Sequence, residues 1–135
     1  MKAFNFFAVL FLLITIASCK DNSDAQLSKV ITVEEAHQLL NSDEGIQLID
    51  VRTPEEYEEK HIPYSQNICV TDKNFKERAS KLDKNRPIYV YCRSGKRSAD
   101  AAQRLRQMGF KEVYDMEGGI IRWEEYGYEL NNQEN

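Results

Sequence analysis

One thiol in this sequence lies where several features that favour an anion coincide. Cys92 follows residues 88–91, an apolar run that predicts a buried strand, and precedes residues 98–108, which predict a helix ending at Gly109. Residues 92–97 form a tight turn between the two predicted elements. Such a turn directs backbone N–H groups inward, and the helix beyond it adds its positive N-terminal end. Both effects favour the thiolate and predict that Cys92 is a nucleophile near neutral pH.

The same turn carries three cations. Arg93, Lys96 and Arg97 lie within five residues of Cys92 and would attract a small anionic substrate. Two hydroxyls and a glycine complete the segment: Ser94, Gly95 and Ser98. The alternative interpretation is a buried cysteine followed by a solvated basic turn.

The elements that must position this turn alternate between strands and helices. Strands are predicted at 30–31, 46–51, 66–70, 88–91 and 112–115, and helices at 33–40, 54–60, 75–82, 98–108 and 120–126. Capping boxes are predicted at Thr32–Glu35 and Thr53–Glu56. The alternation predicts a doubly wound α/β fold. Gly118 and Gly119 would let the backbone approach the Cys92 turn closely.

Four segments resemble the rhodaneses, a family of single-domain sulfurtransferases. Residues 92–98 (Cys-Arg-Ser-Gly-Lys-Arg-Ser) resemble the family's active-site loop, and three further segments occur in the family's order: 48–52, 58–68 and 118–123. The resemblance covers roughly residues 29–130. It implies a central, mainly parallel five-stranded sheet with helices on both faces.

The resemblance also implies a reaction. Cys92 would attack the outer sulfur of a donor such as thiosulfate and carry it as a persulfide to a thiol or to cyanide. Arg93, Ser94, Gly95, Lys96, Arg97 and Ser98 would bind the anionic donor, with Arg93 and Arg97 favoured over Lys96. Ser98 would also cap the following helix. No cofactor and no metal ion is expected, because the sequence shows no metal-ligand cluster and no nucleotide-binding glycine motif.

Two other functions stay open. Phosphatases and arsenate reductases also use a loop between Cys and Arg, but those that resemble this fold place five residues between the two. Here four residues separate Cys92 from Arg97, which suits a sulfur atom better than a phosphate. The second alternative is a non-catalytic sulfur carrier or thiol-binding module.

Other polar residues have supporting roles or none. Asp50 and Arg52 are two residues apart near the end of a predicted strand, so their side chains point to one side and are expected to support the neighbouring loops. His61 is expected to be structural rather than a general base. Cys69 is expected to be a small buried residue, the alternative being a thiol that resolves Cys92 as a disulfide.

Two residues depart from the family's pattern, and two others are expected to have structural roles only. Lys60 and Tyr64 occupy positions where rhodaneses usually have glycine, so the local turn is expected to differ. His37 is expected on the polar side of its helix, without a chemical role, and Trp123 is expected to pack in the core.

The N-terminus predicts export and lipid anchoring. Residues 1–18 contain Lys2 and an apolar run of about thirteen residues, 4–16, shorter than the roughly 20 residues of a membrane-spanning helix. Ile16-Ala17-Ser18-Cys19 resembles a bacterial lipobox, which implies cleavage before Cys19 and acylation of that cysteine.

The sequence therefore predicts four segments in the chain and a location for the domain. Residues 1–18 are predicted to be a lipoprotein signal peptide, 19–28 a polar tether, 29–130 the rhodanese-like domain and 131–135 a polar tail. The domain is expected in the cell envelope, lipid-anchored to a bacterial membrane, in the periplasm or at the cell surface. Because 22 acidic residues exceed 18 basic ones, nucleic acid is not an expected partner.

Overall fold

The chain forms an α/β domain around one parallel sheet. The computed structural model describes residues 29–42 and 45–132. The strands are β1 (Lys29–Ile31), β2 (Gln47–Asp50), β3 (Lys60–His61), β4 (Gln66–Asn67), β5 (Ile88–Tyr91), β6 (Val113–Met116) and β7 (Asn131–Asn132). The helices are α1 (Val33–Ser42), α2 (Pro54–Glu59), α3 (Phe75–Ala79), α4 (Lys96–Gln107) and α5 (Gly119–Glu125).

Five strands pair in the order β1-β6-β5-β2-β4, and every pairing in this sheet is parallel. Each face of the sheet carries its own apolar core. One core includes Phe75 of α3 and Leu105 of α4, and the other includes Val33 of α1 and Trp123 of α5. All four residues of the central strand β5 are buried, as expected for a parallel strand covered on both faces. The predicted fold class is confirmed, and so is the buried position of Trp123.

Both predicted capping boxes are present. The Thr32 amide donates to the Glu35 carboxylate at 2.9 Å, and the Glu35 amide donates to the Thr32 hydroxyl at 3.2 Å. Thr53 and Glu56 make the same reciprocal bonds at the start of α2. Local sequence therefore determines where these two helices begin.

Helix α4 begins two residues earlier than predicted. It starts at Lys96, and Gly95, with φ +116°, turns the chain into it. Ser98 therefore lies in the first turn, where its hydroxyl donates to the Gly95 carbonyl oxygen at 3.0 Å. The prediction that Ser98 caps the helix was wrong, since the loop after β5 needs only residues 92–95.

The C-terminal residues are more ordered than their polar composition predicts. Asn131 and Asn132, assigned to a frayed tail, form β7 and pair antiparallel with β3. An ion pair between Lys60 and Glu124, with 2.6 Å between Nζ and Oε2, ties β3 to α5 nearby. Backbone pairing requires no apolar side chains, which is why composition did not reveal it.

Lys60 and Tyr64 stand where rhodaneses usually have glycine, and only Tyr64 has a backbone conformation typical of glycine. Tyr64 has φ +64° and is the one non-glycine residue with positive φ in the described part of the chain. Its side chain is 87% exposed. Lys60 is extended, with φ −162°, a conformation open to any residue. The turn thus keeps a glycine-like geometry at Tyr64.

The aromatic surroundings of His37 differ from the expected polar helix face. Its ring stacks on Tyr128 with 3.9 Å between centroids and meets the edge of Trp123 at 5.5 Å. His37 thus packs α1 against the segment after α5.

The predicted signal peptide, Cys19 and the tether lie outside the described residues. Within the described ranges, no helix combines the length and the apolar character needed to cross a membrane.

Candidate active site

Cys92 directly follows the central strand β5 and lies beneath the start of α4. Its side chain is buried, with the residue 1% exposed. The Gly95 amide donates to Sγ at 3.0 Å, and the thiol donates to the Ser98 hydroxyl oxygen at 3.5 Å. The N-terminal end of a 12-residue helix therefore adjoins a sulfur atom that already accepts a backbone hydrogen bond.

Helix α5 fixes the loop from the other side. The amides of Ile120 and Ile121 donate to the carbonyl oxygens of Cys92 and Arg93 at 2.9 and 3.2 Å. Gly119, with φ +58°, touches the same two carbonyls so closely that a Cβ would overlap them. The predicted close approach is confirmed for Gly119, whereas a Cβ at Gly118 would meet the Arg122 side chain. Since the carbonyls are held by α5, the loop is anchored on the side away from the sulfur.

The three loop cations have different environments. Arg97 forms two hydrogen bonds to the Glu56 carboxylate, at 2.6 and 2.8 Å. These bonds lower the pKa of Glu56 to about 2, so Glu56 is ionised throughout the neutral range. The side chains of Arg93 and Lys96 are exposed and, among the described residues, make no hydrogen bond or ion pair. The charge of Arg97 is therefore balanced, and that of the other two is available to a ligand.

Asp50 and Arg52 form a buried ion pair beside the loop. The distance from Nη2 to Oδ2 is 2.6 Å, and neither residue is more than 3% exposed. Arg52 also donates to the Lys60 carbonyl oxygen at 2.7 Å. The side-chain amide of Asn67 donates to the backbone carbonyl oxygens of Asp50 and Arg52, at 3.1 and 2.9 Å. The pair joins the ends of β2, β3 and β4.

A buried tyrosine connects the active-site strand to the loop before β4. The Tyr91 hydroxyl accepts from the Ile62 amide at 3.1 Å and lies 3.0 Å from the Ser65 hydroxyl. Burial raises the pKa of Tyr91 well above its usual value, so it remains a neutral hydrogen-bonding group. Its position just before Cys92 makes it a support for the loop.

Two candidate residues do not join the loop. His61 stacks on Tyr57, and its Nδ1 lies 2.8 Å from the Tyr57 carbonyl oxygen. Cys69 is buried, with Sγ 3.2 Å from the Thr71 hydroxyl oxygen. Cys69 and Cys92 are both free thiols in this structure.

The sequence predicted only a capping role for Glu56 and pointed to no role for Tyr91. The capping box fixes Glu56 in the first turn of α2, but its contact with Arg97 spans 41 residues. No local pattern reveals such a distant ion pair. The run of buried residues in β5 could have drawn attention to Tyr91, because a buried hydroxyl needs a partner.

The site therefore consists of a thiol beneath a helix N-terminus, a backbone donor aimed at its sulfur, and two available cations at the surface. This arrangement belongs to the class of Cys-dependent anion-binding loops on a parallel α/β sheet. The sequence model of the rhodanese-like domain matches residues 32–126. The chain belongs to the rhodanese-like domain family, which includes sulfurtransferases and sulfur carriers.

Two relatives show the range of names within the family. The putative sulfur carrier protein YrkF of Bacillus subtilis is 39% identical over 93 residues, covering 69% of this chain and 49% of YrkF. The thiosulfate sulfurtransferase GlpE of Coxiella burnetii is 38% identical over 95 residues, covering 70% of this chain and 86% of GlpE. The chain thus spans about half the length of YrkF.

Solved structures have the same fold. A rhodanese-like domain protein of Staphylococcus aureus is 30% identical with a TM-score of 0.68, covering 78% of this chain and 99% of that one. The polysulfide-sulfur transferase homodimer of Wolinella succinogenes is 28% identical with a TM-score of 0.66, covering 80% of this chain and 81% of that one.

Replacing Gly119 by alanine tests how tightly α5 holds the loop. The added Cβ would overlap the carbonyl oxygens of Cys92 and Arg93, so we expect a loss of about 2–4 kcal/mol in the free energy of unfolding. Gly109→Ala is the matched control, since Gly109 has φ +91° but open space around it; backbone strain alone would cost about 1–2 kcal/mol. Urea denaturation measures both, and equal losses would contradict the proposed close packing.

Replacing Glu56 by glutamine tests the ion pair with Arg97. The pKa of Glu56 lies at about 2 in the folded chain against 4.5 ordinarily. Its stabilising effect is therefore complete above about pH 4.5 and lost as the pH falls towards 2. We expect Glu56→Gln to reduce the free energy of unfolding by about 1–3 kcal/mol at neutral pH, and the difference from the parent to shrink below pH 4.5.

Denaturation midpoints measured from pH 7 to 2.5 would show this convergence. Glu77→Gln is the control, because Glu77 is 75% exposed and its pair with Lys81 is 3.9 Å long. That variant should match the parent at every pH. A pH-independent deficit in Glu56→Gln would contradict a charge-based role.

Proposed function

We propose that the chain is a sulfurtransferase that carries sulfane sulfur on Cys92. The observation that supports this most directly is the 3.0 Å hydrogen bond from the Gly95 amide to Sγ, beneath the N-terminus of α4. A sulfur that accepts such a bond is stabilised as an anion. The reactive group is then the thiolate, and the same donors would serve the terminal sulfur of a persulfide.

The reaction consists of two displacements. The Cys92 thiolate attacks the outer sulfur of thiosulfate, an S–S bond forms to Cys92, and the S–S bond to the sulfonate breaks with release of sulfite. An acceptor thiolate or cyanide then attacks the outer sulfur of the persulfide, and the Cys92 thiolate leaves. Charge balances in both steps, so no external oxidant or reductant is required.

Arg93 and Lys96 would bind the donor, since both are exposed and unpaired within the described residues. Arg97 would act on Cys92 by longer-range electrostatic attraction, because its hydrogen bonds go to Glu56. This division differs from the expected preference for Arg97 over Lys96, which stays a prediction. The small loop of residues 92–95, with one amide on the sulfur, favours a sulfur atom over a tetrahedral phosphate.

A sulfur carrier is the second candidate function. It is supported by the similarity to the putative sulfur carrier YrkF and by the burial of Cys92, which limits access to the sulfur. A carrier would accept sulfur on Cys92 and release it to a partner's thiol rather than turn over rapidly with small acceptors.

Mass spectrometry of the intact chain after treatment with thiosulfate tests the proposal. We expect the mass to increase by one sulfur atom in the parent and in Cys69→Ser, and to stay unchanged in Cys92→Ser, because only Cys92 lies in the anion-binding loop. Subsequent cyanide should remove the added sulfur as thiocyanate, and turnover over many cycles distinguishes an enzyme from a carrier. Absence of an adduct with thiosulfate and with polysulfide, or an adduct on Cys92→Ser, would refute it. Hydrolysis of a phosphate ester without an adduct would favour the phosphatase alternative.

We also propose that the domain is a lipoprotein anchored to a bacterial membrane in the cell envelope. The support is the sequence of residues 1–19, where a short apolar run ends in Ala17-Ser18-Cys19. Several acyl chains on one residue give stable anchoring.

Labelling of bacterial cells with a tagged fatty acid would test the anchor. We expect label on the parent chain and on Cys69→Ser, which both sediment with membranes, and loss of label and of sedimentation in Cys19→Ser. A labelled Cys19→Ser chain, or an unlabelled parent, would contradict lipidation at this residue.

A further inference from the structure

A small cavity opens on the side of the sheet that α1 and α5 cover. Its volume is about 60 Å³. Its walls come from α1, the loop before β4 and the segment from α5 onward, and include Leu40, Asn41, Pro63, Tyr64, Trp123 and Glu129. None of these residues has a part in the reaction proposed for Cys92.

Two hydrogen-bond acceptors at this cavity have no partner among the described residues. The Trp123 indole donates to the Glu129 carbonyl oxygen at 2.9 Å, which fixes the Glu129 backbone beside the cavity. The Glu129 carboxylate is exposed and makes no hydrogen bond or ion pair within the described ranges. Asn41 directs its Nδ2 to the His37 ring at 3.3 Å, so its Oδ1 is available to accept. Both acceptors favour a ligand that donates hydrogen bonds.

The charge of the cavity selects a cation. Glu129 is the one residue with a formal charge at neutral pH among the described residues that line it. An ammonium group on a flexible hydrocarbon stem fits a space of about 60 Å³ better than a planar guanidinium does. The stem would pack against apolar wall residues such as Leu40 and Pro63, while the charged head stays at Glu129.

Tyr64 extends this surface beyond the cavity. Its φ of +64° is unfavourable for a residue with a Cβ, and its ring is almost fully exposed, so burial does not offset the strain. The neighbouring Ser65 is buried and donates to the Ile62 carbonyl oxygen at 2.7 Å, and its hydroxyl lies 3.0 Å from that of Tyr91. These bonds hold the turn in place. A strained, exposed aromatic residue that the fold fixes is typical of a contact with another molecule.

We propose that this cavity binds a lysine side chain of a partner protein. The lysine ammonium would donate to the Glu129 carboxylate and to Asn41 Oδ1, and its third proton would face solvent. The residues next to the lysine in the partner would cover the Tyr64 ring, most of which lies outside the cavity. That exposed ring favours a protein over a free amine, which could not reach it from Glu129. The inference does not depend on the reaction of Cys92.

The indole ¹H–¹⁵N resonance of Trp123 tests the proposal and needs no assignment, because the chain contains one tryptophan. We expect N-acetyl-lysine methylamide, added at constant ionic strength, to shift this resonance in a saturable way, with half-saturation on the order of 1–10 mM. The Nε-acetylated form of the same compound carries no charge and should give no saturable shift. Equal binding of the two compounds, or no shift with either, would overturn the proposal.

Two variants separate the charge of the cavity from the charge of the chain. Glu129→Gln should weaken binding of the lysine compound by about three- to tenfold, since the ammonium loses its charged acceptor. Glu125→Gln is the matched control, because Glu125 is an exposed acidic residue of α5 that does not line the cavity. It should change the affinity less than about twofold. Equal losses in the two variants would contradict a specific site at Glu129.

A peptide tests the role of Tyr64. We expect N-acetyl-Leu-Lys-Leu methylamide to bind the parent about threefold more tightly than the single lysine, and the gain to disappear in Tyr64→Gly. The urea midpoint of Tyr64→Gly should equal or exceed that of the parent, because glycine adopts φ +64° without strain. No gain from leucine in the parent would indicate a free amine as the ligand. An indole resonance that shifts on dilution of the chain alone would indicate a second copy of this chain. Either result would overturn the proposed partner.

Discussion

The arrangement of the loop depends on satisfying the sulfur of Cys92 at a buried position. Cys92 has almost no contact with solvent, so water could not stabilise a negative charge on its sulfur. A buried charge is costly unless hydrogen bonds and opposite charges replace the lost hydration. The turn after β5 supplies both: the Gly95 amide donates to the sulfur, and the N-terminal end of α4 lies beside it. The fold provides this arrangement because a parallel strand must turn directly into the helix that covers it.

The loop keeps its shape because its other side is also bonded. Ile120 and Ile121 donate to the loop carbonyls, and only glycine at position 119 allows that approach. Carbonyl oxygens facing α5 leave the amide of Gly95 free to face the sulfur. The Asp50–Arg52 pair and Tyr91 hold the neighbouring strand ends in the same way, by satisfying buried polar groups rather than by touching the nucleophile.

Much of the fold and of the site could be predicted from the sequence. The remainder could not, and the reason is physical. Local patterns of neighbouring residues predicted the central strand, both capping boxes, the position of Cys92 between a strand and a helix, and the close approach of Gly119. The prediction that Ser98 caps α4 was wrong because Gly95 can turn the chain into a helix without a capping side chain. The Glu56–Arg97 pair and the β3–β7 pairing join residues far apart in the sequence. They depend on how elements pack, which no single segment encodes.

The three cations of the loop differ in whether they stabilise the structure or are available to bind an anion. Arg97 is neutralised by Glu56, so it contributes structure to the first turn of α4 more than net charge. Arg93 and Lys96 remain exposed, where their attraction for an anion is strong at low ionic strength and screened by salt. The donors on the sulfur are buried and are screened far less. Salt should therefore weaken the attraction of Arg93 and Lys96 for an anion while leaving the buried hydrogen bond from Gly95 to the Cys92 sulfur nearly unchanged, because the two lie at different depths.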